Sequence, residues 1–370
     1  MKISLPRQNL QTSLQSVLGS VENKQTMQIL SNVMLDAREG QLTITGTDLE
    51  LELVSTVDAD CHTEGRTTVN ARKLNDIIRS APLNSIVHLT LDNEWLTIDI
   101  ERSHFKLATL NANDFPTAPE PAVDAMKYAL PESILRRMID NTAMSMAQQD
   151  VRYYLNGMLI EITGDALRCV TTDGHRMAFS EFALSLDVPQ TLQFIVPRKA
   201  VLELARLLNE NNNSEIEISL DSHQLQIHLD GLRFTTKLID GRYPDYQRVI
   251  PKQYDMLASL DRQTLKSALS RAAVLSQDKF PGARFSFNKD YLRIETHNND
   301  QESSVEELPI EFDGEPFTIG FNIKYLSDII SVIRNETVLI ELRDAESSAL
   351  IRPETDDITK DRYILMPMKL

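Results

Sequence analysis

One short turn carries the residue types in this 370-residue chain that come nearest to a catalytic site. The segment CVTTDGHRMAF sets Asp173, Gly174, His175 and Arg176 side by side between two apolar, strand-like runs. A carboxylate next to an imidazole can act as an acid–base pair, and a guanidinium can bind phosphate. The same residues also suit a tight turn in which Asp173 accepts backbone hydrogen bonds, or the rim of a binding groove.

The elements that position this turn occur three times along the chain. Three helix-like segments read LPRQNLQTSLQSVLGSV, LPESILRRMIDNTAMSM and LDRQTLKSALSRAAVLS. Strand-like runs, a second helix and further alternating strands follow each of them. Asp48, Asp173 and Asn298 are evenly spaced in equivalent turns. We therefore predict an α+β fold of three tandem similar domains, each with two helices packed on antiparallel sheet. The predicted domains are 1–125, 126–254 and 255–370.

Comparison of the three turns argues against catalysis. The turn that reads DGHR in the second repeat reads DLEL in the first and NNDQ in the third. A catalytic site here would belong to the second repeat alone, which favours a structural turn or a groove rim. A metal-dependent phosphoesterase that uses Asp173 and His175 remains the alternative from another class.

The charge of the chain bears on nucleic acid as a partner. The formal net charge of −16 argues against tight DNA binding, because DNA-binding domains are usually basic. Basic residues nevertheless concentrate on the predicted helices and the turns before them: Arg7, Arg72, Lys73, Arg79, Arg136, Arg137, Arg198, Lys199, Arg206, Arg262, Lys266, Arg271, Lys324 and Arg334. Two three-domain arcs in head-to-tail contact would close a ring with helices inside and sheets outside. Such a ring holds DNA by topology rather than by affinity.

Several sites and signals are absent from the sequence. It contains no GxxxxGK[ST], GxGxxG or GxSxG motif and no cluster of His or Cys, so no cofactor, metal or nucleophile is expected. No secretory leader or membrane span is recognised. Cys61 and Cys169 lie far apart and are predicted to be reduced, which favours a cytoplasmic location.

Several motifs resemble the bacterial DNA polymerase III β subunits, the sliding clamps. They are TGTDLELEL, AQQDVRYYLNGMLIE, TTDGHRMA, VPRK, DGRYPDYQRVIP, GFNIKYL and the final MPMKL. The resemblance covers the whole chain in order. It implies a head-to-tail homodimer, a ring of six domains threaded by double-stranded DNA, and no catalytic activity. It also implies a clamp loader that opens the ring, and polymerases and repair proteins that dock through short peptides containing Gln, Leu or Phe. A non-replicative scaffold with the same fold is the nearer alternative.

The resemblance implies a peptide groove between the second and third domains and under the C-terminal tail. Its residues here are Leu155, Thr172, Gly174, His175, Arg176, Met177, Pro244, Arg248, Val249, Phe280, Asn322, Tyr325, Ser348, Met366, Pro367, Met368 and Leu370. The apolar members form a deformable wall, and the polar members orient the peptide backbone or its Gln amide. The charged segment Arg352–Tyr363 receives no role from the sequence.

The resemblance also implies a DNA-facing surface and a dimer contact. The DNA-binding candidates are Lys24, Arg72, Lys73, Gln149, Tyr153, Tyr154, Arg198 and Lys199. The dimer contact would join the first repeat of one chain to the third repeat of the other. Its candidates are Phe105 and Leu107 against Val274 and Leu275, with Lys73 or Arg102 facing acids near Glu306.

Overall fold

The computed structural model describes residues 1–22, 27–185, 188, 190–250, 253–276 and 281–369. Three of the predicted site residues, Lys24, Phe280 and Leu370, lie outside these residues. Within the described part of the chain, no helix is long and apolar enough to cross a membrane. The cysteines Cys61 and Cys169 are both free thiols.

Among its described residues, the first repeat contains two α-helices and nine strands. The helices are α1 (Arg7–Val17) and α2 (Ala71–Ser80). The strands are β1 (Lys2–Pro6), β2 (Asn32–Arg38), β3 (Gln41–Thr47), β4 (Leu51–Asp58), β5 (Asp60–Thr63), β6 (Gly65–Asn70), β7 (Ile86–Asp92), β8 (Trp95–Ile100) and β9 (Ser103–Leu110). Leu10, Leu14 and Val17 are fully buried and form the apolar stripe of α1, as the helical spacing predicts.

The second repeat has the same plan. Its helices are α3 (Glu132–Thr142) and α4 (Arg198–Leu207). Its strands are β10 (Met126–Pro131), β11 (Gly157–Ile162), β12 (Ala166–Thr172), β13 (Arg176–Ala183), β14 (Leu192–Pro197), β15 (Glu215–Leu220), β16 (Gln224–Leu229) and β17 (Leu232–Lys237). Leu135 and Ile139 are buried at the positions equivalent to Leu10 and Leu14.

The third repeat completes the chain. Its helices are α5 (Arg262–Ala272) and α6 (Ile323–Val332). Its strands are β18 (Met256–Asp261), β19 (Gly282–Phe287), β20 (Tyr291–His297), β21 (Ser303–Pro309), β22 (Glu311–Asp313), β23 (Phe317–Asn322), β24 (Thr337–Leu342), β25 (Ala349–Pro353) and β26 (Lys360–Leu365).

The described strands form three antiparallel sheets. A 13-stranded sheet has the order β10-β15-β16-β17-β4-β3-β2-β6-β9-β8-β7-β1-β5. A 9-stranded sheet has the order β14-β11-β12-β13-β26-β25-β24-β18-β22, and a 4-stranded sheet has the order β21-β20-β19-β23. Two sheets therefore continue from one repeat into the next, through β17–β4 and through β13–β26.

The chain folds as two compact units that cut across the second repeat. One unit comprises 1–132 and 212–238, and the other comprises 133–211 and 239–370. The second repeat gives four strands to the first unit and its remaining strands to the second. The predicted domains, 1–125, 126–254 and 255–370, follow the sequence repeats instead, and their boundaries stay a prediction.

The three equivalent turns share one hydrogen-bonding scheme. The Oδ1 atom of Asp48 accepts the amides of Glu50 and Leu51 at 2.9 and 2.7 Å. The Oδ1 atom of Asp173 accepts two amides in the same way at 2.9 and 3.0 Å. The Oδ1 atom of Asn298 also accepts two amides, at 3.1 and 3.0 Å. Asp173, the acid that suggested catalysis, therefore occupies a turn position that Asp48 and Asn298 use in the same way.

Three arginines that the sequence suggested for a DNA-facing helix surface are bonded to the protein itself. Arg7 donates to the carbonyl oxygens of Ile78 and Arg79, which end α2, at 2.9 and 2.8 Å. Arg136 donates to carbonyls at the end of α4, and Arg262 donates to that of Asn335 just after α6. The last carbonyls of a helix lack partners within the helix, and Arg7 and Arg136 supply them. Arg262 binds the loop that follows α6. Arg7 is only 8% exposed, so the expectation that it faces DNA is corrected, whereas for Arg136 and Arg262 it stays a prediction.

A buried carboxylate ties the C-terminal strand to the second repeat. Asp361, on β26, is only 7% exposed. Its oxygens accept hydrogen bonds from Asn141 Nδ2 at 2.9 Å, Ser180 Oγ at 2.6 Å and Thr359 Oγ1 at 3.0 Å. The carboxylate thereby joins α3 and β13 to β26 with each bond made to a charged acceptor.

Replacing this carboxylate should destabilise the protein strongly. The Asp361→Ala variant leaves the buried Asn141 and Ser180 groups without their acceptor, so we expect a loss of about 2–4 kcal/mol in the free energy of unfolding. Urea unfolding followed by circular dichroism measures it. Asp356→Ala is the matched control, because Asp356 lies on the same segment in an exposed pair with Arg362 and should cost less than about 1 kcal/mol. Equal losses in the two variants would contradict the assignment.

Candidate functional site

The turn between β12 and β13 is held rigid by its own side chains. Thr172 Oγ1 donates to the carbonyl of Arg176 at 2.7 Å and accepts the amide of Gly174 at 3.1 Å. Gly174 has a φ of +87°, the left-handed region that glycine adopts without strain. A Cβ atom at Gly174 would also lie 2.9 Å from Arg152 Nη2. The glycine thus serves both the turn and the close approach of Arg152.

Arg152 connects the turn to Asp150 through hydrogen bonds. Its Nη2 atom donates to the carbonyl of Asp173 at 3.3 Å and to Asp150 Oδ2 at 2.9 Å. Hydrogen bonds from Arg152 lower the pKa of Asp150 to about 2, so this acid is charged at neutral pH. Arg152 was not singled out from the sequence, because its role depends on a turn that lies well beyond it in the chain.

Arg176 links the turn to helix α6. Its side chain is only 9% exposed, and it donates to Asp173 Oδ2 at 3.1 Å and to Asp328 Oδ2 at 2.7 Å. Its Cζ atom lies 4.2 Å from the centre of the Tyr325 ring, which is a cation–π contact. Burial raises the pKa of Tyr325, so its hydroxyl stays neutral. Arg176 therefore holds the second repeat and α6 together at the groove candidates.

His175 and the C-terminal tail meet on the open side of the turn. The exposed His175 ring stacks on Tyr325 with centroids 6.4 Å apart and planes at 27°. Its carbonyl oxygen accepts the amide of Met366 at 2.9 Å, and the Gly320 carbonyl accepts the amide of Met368 at 2.8 Å. The tail is thus bonded to β23 and to the turn. This brings together residues predicted for one groove.

Asn322 positions Tyr325 rather than standing alone at the rim. Its Oδ1 atom accepts the amides of Lys324 and Tyr325 at 3.0 and 3.2 Å and so caps the N-terminus of α6. The cap fixes the first turn of the helix, which carries Tyr325 beneath His175 and Arg176. Asp328, one turn further on, was missed by the sequence reasoning; its spacing from Tyr325 on one helix face was the available signal.

Three of the apolar groove candidates belong to one cluster. Leu155 and Met177 are fully buried in it, and Val249 packs against it at half burial. Leu350 and Ile364, which the sequence did not single out, share the cluster. The buried members form a floor, and the accessible candidates lie around it. Pro244, Arg248 and Met366 are exposed, whereas Ser348, Pro367 and Met368 are half-buried.

Several DNA-binding candidates line one cleft of about 600 Å³. Its walls are Ala147, Gln148, Gln149, Asn156, Arg198, Lys199, Leu202, Glu203 and Arg206. Gln149 has a left-handed φ of +56°. Arg198 donates to the carbonyl of Met146 at 3.0 Å, and burial lowers its pKa with a smaller contribution from Arg176. Tyr153, 58% exposed, packs edge-on against Tyr154 just before Asn156.

Arg72 and Lys73 are exposed at the start of α2, in the other compact unit. They carry the charge predicted for a DNA-facing helix. Their spatial relation to the cleft stays a prediction.

Two of the dimer candidates lie on a strand with an open edge. Phe105 and Leu107 are half-buried on β9, which pairs with β6 only at Thr109 and Leu110 among the described residues. Val274, 77% exposed, follows α5 beside the half-buried Leu275. Strand β21 is the outer strand of the 4-stranded sheet.

Glu306, on β21, already has a partner within its own chain. Arg271 donates to both of its oxygens at distances of 2.5–3.0 Å. These hydrogen bonds lower the pKa of Glu306. Pairing of Glu306 with Lys73 or Arg102 of a second chain would have to share Glu306 with Arg271, and it stays a prediction.

The described residues offer no site for a metal ion. No group of three or more His, Cys, Asp or Glu side chains is placed among them to hold a metal ion. Both oxygens of Asp173 are committed to the turn and to Arg176. The geometry around Asp173 is that of a structural turn beside a groove.

Comparison with known proteins identifies the family. Three domain families match in order: DNA polymerase III beta subunit, N-terminal domain, over 1–119; its central domain over 129–245; and its C-terminal domain over 247–369. A beta sliding clamp of Pseudomonas aeruginosa is 44% identical and one of Escherichia coli 39% identical, each over 371 residues with 100% of both chains covered.

Solved structures agree with these matches. The DNA polymerase sliding clamp of Pseudomonas aeruginosa with ligand has a TM-score of 0.95 at 44% identity, with 100% of both chains covered. The sliding clamp of Bartonella birtlesii bound to griselimycin has a TM-score of 0.96 at 34% identity, again with 100% of both chains covered. The predicted fold class of three tandem clamp domains is confirmed. The chain belongs to the bacterial DNA polymerase III beta subunit family, the DNA sliding clamps.

Proposed function

We propose that this chain forms a ring-shaped homodimer that encircles double-stranded DNA and tethers polymerases and repair proteins through the groove at the Thr172–Arg176 turn. One observation carries the groove assignment: Met366 of the tail is hydrogen-bonded to His175, whose ring stacks on Tyr325. An apolar chain end normally frays unless it is packed onto something. Here it borders a buried apolar floor and an aromatic pair, a combination typical of peptide-binding grooves.

The open strand edges support the ring. Strand β9 lacks a partner along most of one edge, and β21 is an outer strand, within the part of the chain that the structure describes. Exposed edges of this kind pair readily with another chain. Pairing of β9 from one chain with β21 from a second, repeated by two-fold symmetry, would close a ring of six domains. The proposed domains are 1–125, 126–254 and 255–370.

DNA within such a ring needs only weak contacts. Gln149, Tyr153 and Lys199 present amide, aromatic and ammonium groups that suit phosphate and sugar without reading bases. Encirclement then replaces affinity, which is consistent with a net charge of −16. The proposed partners are duplex DNA, a clamp loader that opens the ring, and polymerases and repair proteins. The proposed location is the bacterial cytoplasm, with the nucleoid.

The proposed role is non-catalytic. Because Asp173 is committed to the turn, no observation favours the phosphoesterase alternative. A clamp-fold scaffold that binds peptides without encircling DNA would share the groove but not the topological link. The first experiment below separates the clamp from the scaffold.

The clamp should stay on closed circular DNA and leave linear DNA. After loading, the protein should remain with nicked circles through gel filtration in salt high enough to screen phosphate contacts. Linearising the same circles with a restriction enzyme should release it. Quantitative blotting of the DNA fractions measures retention. Equal loss from circles and linear DNA would support the scaffold instead.

Removing the tail should abolish peptide binding selectively. Deletion of Met366–Leu370 removes one border of the groove, so the affinity for a fluorescein-labelled peptide carrying Gln, Leu and Phe should fall more than about tenfold. Fluorescence anisotropy measures it. Retention on circular DNA is the internal control and should not change. Unchanged peptide affinity would refute the groove assignment.

An acid in the proposed dimer contact should separate the ring into monomers. Leu107→Asp places a charge against apolar residues of the second chain, so the dimer dissociation constant should rise more than about tenfold. Sedimentation velocity across a concentration series measures it. Leu83→Asp, at an exposed leucine elsewhere in the first repeat, is the matched control and should stay dimeric. A dimeric Leu107→Asp variant would exclude this contact.

A further inference from the structure

A row of polar side chains crosses the 9-stranded sheet beside the groove floor. Strand register sets Gln193 opposite Glu161, Glu161 opposite Arg168, Arg168 opposite Glu181, and Glu181 opposite Lys360. These five residues, the charged row, come from β14, β11, β12, β13 and β26. Directly opposed residues on antiparallel strands lie on the same face of a sheet. The row therefore runs across one face from the second repeat into the third.

Neighbouring members of the charged row are bonded to one another. Gln193 Nε2 donates to Glu161 Oε2 at 2.6 Å, and Arg168 Nη1 donates to Glu161 Oε1 at 2.8 Å. Arg168 Nε donates to Glu181 Oε2 at 2.5 Å, and Lys360 Nζ lies 3.8 Å from Glu181 Oε1. Opposite charges alternate along the row, so each carboxylate has a cation beside it.

Glu161 is the buried centre of the row and reaches beyond it. It is 4% exposed, and its Oε1 atom also accepts the hydroxyl of Tyr246 at 2.9 Å. Burial alone would raise the pKa of Glu161, but the bonds from Gln193, Arg168 and Tyr246 outweigh it and lower this pKa. Burial raises the pKa of Tyr246 to about 12, so its hydroxyl remains a donor. The bond therefore joins a charged acceptor to a neutral donor.

Tyr246 belongs to the segment that carries one border of the groove. Residues 243–250 connect β17 to the third repeat and include the groove candidates Pro244, Arg248 and Val249. The Tyr246 ring is buried in the apolar cluster, and its centroid lies 6.0 Å from that of the Phe179 ring. Along β13, Met177, Phe179 and Glu181 lie on one face in successive rows about 7 Å apart. Tyr246 thus crosses the middle row to reach the charged row.

We propose that the Tyr246–Glu161 hydrogen bond is a latch that positions the segment 243–250 as one wall of the peptide groove. Tyr246 and Glu161 are then positioning residues, which act on the peptide through Pro244, Arg248 and Val249. The ring of Tyr246 anchors the segment in the apolar cluster, and its hydroxyl fixes where along the sheet the segment lies. This inference rests on the proposed groove and adds residues that lie beneath it.

Removing only the hydroxyl tests the latch without opening a cavity. In Tyr246→Phe, affinity for the labelled peptide carrying Gln, Leu and Phe should fall at least about tenfold, the lower end of the effect of one hydrogen bond to a charged group. The loss should appear in the dissociation rate, measured by stopped-flow anisotropy. Tyr254→Phe is the matched control, because it removes a hydroxyl from a tyrosine that packs against the same apolar cluster, outside segment 243–250 and outside the charged row. It should bind within about twofold of the wild-type protein.

A conservative change at Glu161 separates positioning from general stability. Glu161→Gln keeps an oxygen that accepts from Tyr246, so peptide affinity should stay within about twofold even where the unfolding midpoint falls. Glu161→Ala removes the acceptor and should bind as weakly as Tyr246→Phe. Combining Glu161→Ala with Tyr246→Phe should add no further loss, because both remove the same bond.

The outcomes distinguish the latch from the groove itself. The Met366–Leu370 deletion is titrated in the same series. If this deletion leaves affinity unchanged, the groove assignment fails and the latch fails with it. If the deletion abolishes binding but Tyr246→Phe binds like the wild-type protein, only the latch is overturned. A Glu161→Gln variant as weak as Glu161→Ala would also overturn it, since the acceptor alone would then not suffice.

Discussion

The pairing of β13 with β26 is the constraint on which the groove depends. The register sets Arg176 opposite Leu365 and Glu181 opposite Lys360. The turn lies directly before β13 and the tail directly after β26, so this register alone brings the His175 carbonyl to the Met366 amide. A slip of one residue would turn Met177 and Ile364 to the opposite face and remove them from the apolar floor. The buried bonds of Asp361 on the other face oppose such a slip.

The first unit repeats this arrangement with a different use. There β17 pairs with β4, and the amide of Lys237 bonds the carbonyl of Glu50 at 2.9 Å, as Met366 bonds His175. The chain after β17 continues into the segment between domains, whereas the chain after β26 is bonded to the turn at His175 and to β23 at Gly320. Leu49 occupies the place of Gly174 with a φ of 79°, which costs a leucine about 1 kcal/mol. The turn backbone is therefore common to the fold, and the second repeat alone combines it with Gly174, His175 and Arg176.

Sequence periodicity predicted most of the fold but little of the bonding beneath the site. Alternating apolar residues located the strands, and the equivalent positions of Asp48, Asp173 and Asn298 identified the turn chemistry. The charged row was not predictable, because Gln193, Glu161 and Lys360 meet only through strand register, which a single sequence does not encode. Arg7 was likewise misjudged: an exposed helix arginine and one bonded to another helix end look alike in sequence. The resemblance placed His175 and the tail at one groove, yet the hydrogen bond between His175 and Met366 emerged only from the fold.

The balance of charges determines how such a protein can hold DNA. Within the described part of the chain, several of the basic residues on the predicted helices are ion-paired with acids of their own chain, among them Arg79, Arg136, Arg137, Arg206, Arg271 and Arg334. A guanidinium already bonded to a carboxylate attracts phosphate less, because its field is partly cancelled. The salt dependence of DNA affinity scales with the number of phosphates neutralised. A helix surface whose arginines are paired with carboxylates should therefore bind DNA weakly and with a small salt dependence, which permits sliding. Retention on DNA then depends on closure of the ring.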